Sequence, residues 1–165
     1  MNKFKPEWRD ELISELSKYP LRDPRDAKKF NLKTRTRVER LLSYANLLTE
    51  IARWESSFNP TATYDEAFKD RNNEIVVSTG LFQLSTESLR GYDLHYSTEK
   101  LKDPIINIRC AVKVFVTWLE RDKVIARKRW CFFGPWRGSA RYWSVLRGER
   151  DYTARALDAI REANK

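Results

Sequence analysis

Apolar residues recur every three or four positions over most of the chain, the period of helices that turn one face to a core. The first such stretch, "PEWRDELISELSKY", carries Trp8, Leu12, Leu16 and Tyr19 at that spacing, and two prolines in "PLRDPRD" end it. A second helix is predicted from about Thr36 to Ser56, with Leu41, Ala45, Leu48, Ala52 and Glu55 along one stripe. The clearest is "DPIINIRCAVKVFVTWLERD". Asp103 suits its N-cap and Pro104 its first turn, and Ile105, Ile108, Val112, Phe115 and Leu119 make its apolar face. A short helix is predicted after Ser85, another near "SARYWSVLR", and a last one in "YTARALDAIREA".

Between Asn59 and about Thr79 the helical period is lost. Turn residues, several acids and the short run "EIVV" predict an irregular lobe with a small hairpin. "RDKVIARKRW" reads as a basic stretch leading into a turn at "CFFGPWRG". There is no repeat, low-complexity segment or linker. The expected class is therefore mainly α (α+β). One domain is expected over residues 1–165, with 1–35 a helical extension and the core at about 36–150.

One residue breaks the binary pattern. Glu55 ends an otherwise apolar stripe, and "SSFNP" stops the helix directly behind it. Apolar surroundings disfavour a charged carboxylate and raise its pKa, and the negative end of the helix dipole pushes the same way. A carboxylic acid that keeps its proton near neutral pH suits general acid catalysis, above all glycoside cleavage. The plainer reading is a solvated helix-end glutamate paired with a cation such as Arg53.

Three strings in order bear on that choice: "ESSFNPTA", "STGLFQLS" and "DPIINIRCAV". Together they resemble the lysozyme-like superfamily, most of all its soluble lytic transglycosylase and goose-type lysozyme branches. Those branches share a helix ending Glu-Ser-x-Phe-Asn-Pro, then Gly-Leu-Met-Gln, then an Asn-Ile pair on a later helix. Here the pattern falls on Glu55 to Pro60, Gly80 to Gln83, and Asn107-Ile108. The resemblance implies a lysozyme-like fold with a cleft between a helical lobe and an irregular, hairpin-bearing lobe. It implies cleavage of peptidoglycan glycan strands at the β-1,4 bond between N-acetylmuramic acid and N-acetylglucosamine, with Glu55 as acid and then base. Ser56, Gly80 and Gln83 are the implied substrate contacts, Gly80 by letting backbone approach a ligand closely. Capping for Ser56 and turn formation for Gly80 are the competing explanations.

The second carboxylate that many hydrolases use has four candidates, Asp65, Glu66, Asp70 and Glu74. Glu74 is preferred, because goose-type lysozymes carry an acid six residues before the glycine corresponding to Gly80. Their other acid is replaced here by Ser85, as in many transglycosylases. Transglycosylases also carry an Ala-Tyr-Asn-Ala-Gly segment, which is absent. Tyr142 is the candidate for its tyrosine, Trp136 for stacking on sugar, and Trp143 and Phe133 are expected in the core. Hydrolysis and lytic transglycosylation both stay open, as do N-acetylated and de-N-acetylated substrates.

Charge and composition refine this picture. The 165-residue chain has a formal net charge of +9 and is rich in aromatics, with six Trp, seven Tyr and eight Phe. Excess positive charge suits an anionic polymer. Nucleic acid is the competing partner, with "KTRTRVER" and "RKRW" as its evidence, but no recognition motif accompanies them and none is expected to bind. A non-catalytic lysozyme-like binding protein is the other alternative. One histidine, His95, and two cysteines are too few for a zinc site, so no metal or cofactor is expected. No apolar run is long enough to span a membrane, and "MNKFKPEWRDEL" lacks the apolar core of an export leader. An enzyme of the cell wall would be periplasmic or secreted, its leader already removed. That compartment would favour a Cys110–Cys131 disulfide. A monomer is expected.

Overall fold

The computed structural model describes residues 2–130 and 133–165. In chain order its helices and strands are α1 (Pro6–Ser17), α2 (Arg37–Ser56), β1 (Thr63–Lys69), β2 (Ile75–Thr79), α3 (Thr86–Arg90), α4 (Pro104–Asp122), β3 (Arg127–Trp130), β4 (Phe133–Arg137) and α5 (Asp151–Ala163). The long helices start where their capping residues stand. Thr36 and Glu39 form a reciprocal capping box at α2. Asp103 Oδ1 accepts the Ile105 and Ile106 N–H groups at 2.8 and 3.3 Å, and Pro104 fills the first turn of α4.

α1 packs on α2 and α4, and α5 covers α2. Leu12 and Leu16 of α1, Leu47, Leu48 and Ile51 of α2, and Ile108, Val112 and Phe115 of α4 share one core with Ile160 of α5. Burying each such side chain stabilises the fold by about 1.5–3 kcal/mol. Tyr44 meets Phe115 edge-to-face, with ring centroids 5.3 Å apart. The buried face of α2 is broader than the stripe read from sequence: Tyr44, Leu47 and Ile51 join Ala45, Leu48 and Ala52, while Leu41 is half-buried. Trp8, Leu12 and Leu16 of α1 share this core, as do Leu21 and Phe30 after it.

The irregular lobe is an antiparallel hairpin of β1 and β2, with Tyr64 opposite Ser78 and an irregular register between Asp65 and Lys69. The basic stretch and turn expected after α4 are instead a second antiparallel hairpin, pairing Arg127 with Arg137 and Lys128 with Trp136. The helix expected near "SARYWSVLR" is two 3-10 turns, Gly138–Arg141 and Ser144–Leu146, separated by extended backbone at Trp143. That break sends the Trp143 indole N–H to the Phe82 carbonyl at 3.1 Å, deep in the core. Cys110 is buried, and burial pushes its thiol pKa up to about 12. Cys131, and with it the Cys110–Cys131 pairing, lies outside the described residues, as does the side chain of Phe133. Among the described residues no helix is long and apolar enough to cross a membrane.

Candidate active site

The end of α2 is abrupt. Ser57 and Phe58 both adopt left-handed backbone, with φ of 52° and 61°, and the Ser57 N–H closes on the Arg53 carbonyl at 2.9 Å. The chain therefore reverses two residues after Glu55, which is left on the wall of a cleft of about 790 Å³. Phe58 turns inward and is buried. The Ser56 hydroxyl lies 3.1 Å from the Ala52 carbonyl and 2.9 Å from the Leu81 carbonyl, joining the helix end to the loop after β2.

That loop is held from inside by Asn107. Its Oδ1 accepts the Phe82 N–H at 2.9 Å, and its Nδ2 donates to the carbonyls of Thr79 and Leu101 at 3.0 and 2.9 Å. Gly80 has φ +83°, and a Cβ there would lie 2.3 Å from Asn107 Nδ2 and 2.5 Å from the Leu101 oxygen. The close approach that Gly80 permits is thus to Asn107, not to a ligand, and Gly80 is buried outside the cleft lining. Gln83 does line the cleft. Its Nε2 donates to Gly80 and Ala62 oxygens at 2.9 and 3.2 Å, leaving the amide oxygen as the group it can offer.

The wall opposite Glu55 is β1. Tyr64, Glu66 and Phe68 stand at alternate positions and all three line the cleft. Glu66 is the half-buried member of an otherwise exposed strand, and Ser78 Oγ donates to its Oε1 at 2.5 Å. Glu74 is not brought to the cleft. It sits in the exposed hairpin turn, where its N–H and that of Asn72 are capped by Asp70 Oδ1 at 2.9 and 2.8 Å. The resemblance to goose-type lysozymes points to Glu74, but the hairpin carries residue 74 to its far end. Asp65 is exposed and Asp70 serves the turn. Of the four candidates, the carboxylate facing Glu55 is Glu66.

Burial and the nearby Glu66 carboxylate raise the Glu55 pKa from 4.5 to about 7. Tyr142 lines the cleft, with its hydroxyl 2.8 Å from Ser88 Oγ and accepting the Ser85 N–H at 3.4 Å. Burial pushes Tyr142 up to about 12, so it stays a neutral hydroxyl. Tyr152 went unnoticed in the sequence. It stands edge-on to Trp54 at 5.2 Å, donates to the Trp54 carbonyl at 3.1 Å, and its phenol is pushed up by burial and then by Glu55. Trp54 itself lines the cleft with a buried indole N–H that has no acceptor. Trp136 is elsewhere. It lines a separate hollow of about 480 Å³, with Lys29 Nζ and Lys128 Nζ 5.4 and 5.7 Å from its ring centroid. His95 is an exposed residue beside Asp93. Among the described residues no cluster of His, Cys, Asp and Glu is suited to hold a metal.

A long buried helix that ends in a half-buried glutamate, facing a β-hairpin across an open cleft, is a lysozyme-like architecture. The chain belongs to the transglycosylase SLT domain family, whose model matches residues 36–125. Solved structures of DslA are similar over nearly the whole chain. Its wild-type form is 34% identical, with a TM-score of 0.83 over 92% of this chain and 86% of that one. Two Glu→Gln mutants of DslA match with the same TM-score and coverage, at 34% and 33% identity. No curated protein matches the chain. Membership indicates lytic transglycosylase or lysozyme-like activity on peptidoglycan.

Proposed function

We propose that the protein hydrolyses the β-1,4 bond between N-acetylmuramic acid and N-acetylglucosamine, or a de-N-acetylated counterpart, in peptidoglycan strands. Glu55 is the general acid. The observation that carries this is a glutamate with its pKa raised to about 7, facing a second carboxylate, Glu66, across a cleft of about 790 Å³. Glu55 donates its proton to the glycosidic oxygen as the bond to the anomeric carbon breaks. Glu66 stabilises the positive charge that develops there, and Glu55, now a carboxylate, takes a proton from the incoming water, whose hydroxyl ends on the anomeric carbon. Tyr64 and Phe68 offer aromatic faces to the sugar rings, and Gln83, Ser56 and Tyr142 offer polar atoms at the cleft floor.

A second observation supports the paired-glutamate reading. The two Glu→Gln mutants of DslA alter positions eleven residues apart, the separation of Glu55 and Glu66 here. Lytic transglycosylation, in which the muramic 6-hydroxyl attacks internally, needs Glu55 alone and is the alternative that family membership keeps in play. The protein acts, on this reading, outside the cytoplasm as a single-domain monomer without a cofactor.

Mass analysis of released muropeptides separates the two. Reducing ends are expected, on N-acetylated and de-N-acetylated strands run side by side, whereas 1,6-anhydro ends would overturn hydrolysis. Glu55→Gln is expected to fold and to lose clearing of peptidoglycan suspensions by about 100-fold or more. Clearing at the parent rate would remove Glu55 from the mechanism.

A further inference from the structure

Beyond the catalytic cleft, α4, the second hairpin and the first 3-10 turn after it meet around a hollow of about 410 Å³. It is lined by Arg121, Asp122, Arg129, Pro135, Arg137 and Arg141. Guanidinium groups repel one another, and this concentration of them is assembled by two devices. The first is Asp122, whose side chain is 5% exposed. Its Oδ2 accepts the Gly138 N–H at 2.7 Å and Arg141 Nε at 3.1 Å, and its Oδ1 lies 3.6 Å from Arg137. Burial opposes its charge, but the Gly138 N–H, Arg141 and Arg137 together hold the carboxyl below its usual range. The second device is Trp118. Arg121 and Arg141 lie over its ring at 5.0 and 4.8 Å, and its indole N–H is fixed by the Tyr92 hydroxyl at 2.6 Å.

These contacts hold Arg121, Arg137 and Arg141 in place. Arg137 and Arg141 share the Asp122 carboxylate and Arg121 lines the same hollow, and each guanidinium carries five N–H donors. Preorganised arginine donors are suited to carboxylate and phosphate oxyanions. Position narrows the choice. Arg141 also lines the catalytic cleft, so the hollow opens beside the wall that carries Tyr142. A substituent hanging from a sugar bound in the cleft reaches it, whereas a separate polymer would need its own path.

The geometry points to this arginine hollow as a binding site for the carboxylates of the peptide stems attached to the glycan strand in the cleft. The inference rests on the peptidoglycan reading above and deepens it: the enzyme would recognise stem-bearing strands, not bare sugar alone. Arg141 is shared with the cleft, so the test uses the exposed Arg121 with Arg137, as the double variant Arg121→Gln, Arg137→Gln, its folding checked by thermal melting.

KM is measured on strands with intact stems and on strands stripped of them by an amidase. The parent is expected to show a KM about tenfold lower on stem-bearing strands, the scale of one or two charge-assisted hydrogen bonds. In the double variant that ratio is expected to fall towards one. A parent that treats both substrates alike, or a variant that keeps the ratio, overturns the site. If the parent cleaves neither substrate, the functional reading fails, and direct titration with an isolated stem tetrapeptide still decides the site. Salt-sensitive binding that the double variant loses supports it. No binding, equal binding by the variant, or binding of inorganic phosphate without the peptide overturns it.

Discussion

Replacing Glu55 by Gln should stabilise the protein at alkaline pH and leave it unchanged in acid. The Glu55 carboxyl has an ordinary pKa of 4.5 and one of about 7 in the fold, first through burial and then through Glu66. A group that holds its proton more tightly in the folded state favours folding at low pH. That contribution is complete below 4.5 and is lost as the pH rises to about 7. At 1.36 kcal/mol per pH unit the interval corresponds to about 3 kcal/mol of lost stability above pH 8. The cleft leaves one side of Glu55 open to water, which reduces the expected cost to about 1–3 kcal/mol. Gln is nearly isosteric and carries no charge, so it escapes the cost. Thermal melting should therefore place Glu55→Gln above the parent by about 3–10 °C at pH 8.5 and level with it at pH 4. A difference that does not change with pH, or a parent that is the more stable at pH 8.5, would refute the burial argument and with it the reason for Glu55 to be an acid.

Two other expectations concern the partner carboxylate and the loop clamp. Glu66→Gln removes the second cause of the raised Glu55 pKa, so the alkaline limb of the kcat/KM profile should move below 7 while burial keeps it above 4.5. A limb that stays in place would mean that Glu66 does not act on Glu55. Asn107→Leu strands the Phe82 N–H and the Thr79 and Leu101 carbonyls inside the protein, at a cost of about 3–5 kcal/mol. Melting about 10 °C below the parent is expected, and an unchanged midpoint would show the loop to be held by something other than Asn107.

The helices of this fold could be read from the chain because their signals are local. Thr36 with Glu39, and Asp103 with Pro104, mark where α2 and α4 begin, and the apolar period runs unbroken behind them. The second hairpin was not legible. "RKRW" has no alternation, and "FGPWR" contains the Gly and Pro that usually mark a turn. Glu55 announced itself by breaking a stripe. Glu66 did not, because the resemblance to goose-type lysozymes favours Glu74 while the hairpin brings Glu66 to the cleft. A period of two was present all the same in Tyr64, Glu66 and Phe68. Trp136 shows the opposite case: an aromatic beside basic residues looks like a sugar platform, but the fold sets it in a hollow that Glu55 does not line. Tyr152 gave no signal at all, since its place depends on α5 returning to Trp54, across 98 positions of sequence.

The hairpin of β1 and β2 is tied down at its base, where Gly80 N–H meets the Ala62 oxygen at 2.8 Å and Gln83 and Asn107 add their amides. Further out, β1 is exposed at every position but Glu66. Such a unit has little to lose by bending, and local opening draws on the least stable parts of a fold. Glu55 thus stands at the end of a buried helix, and Glu66 on an exposed strand whose base is fixed by the Gly80 loop. The two carboxyls therefore stand on supports of different stiffness, the firm one under Glu55 and the compliant one under Glu66.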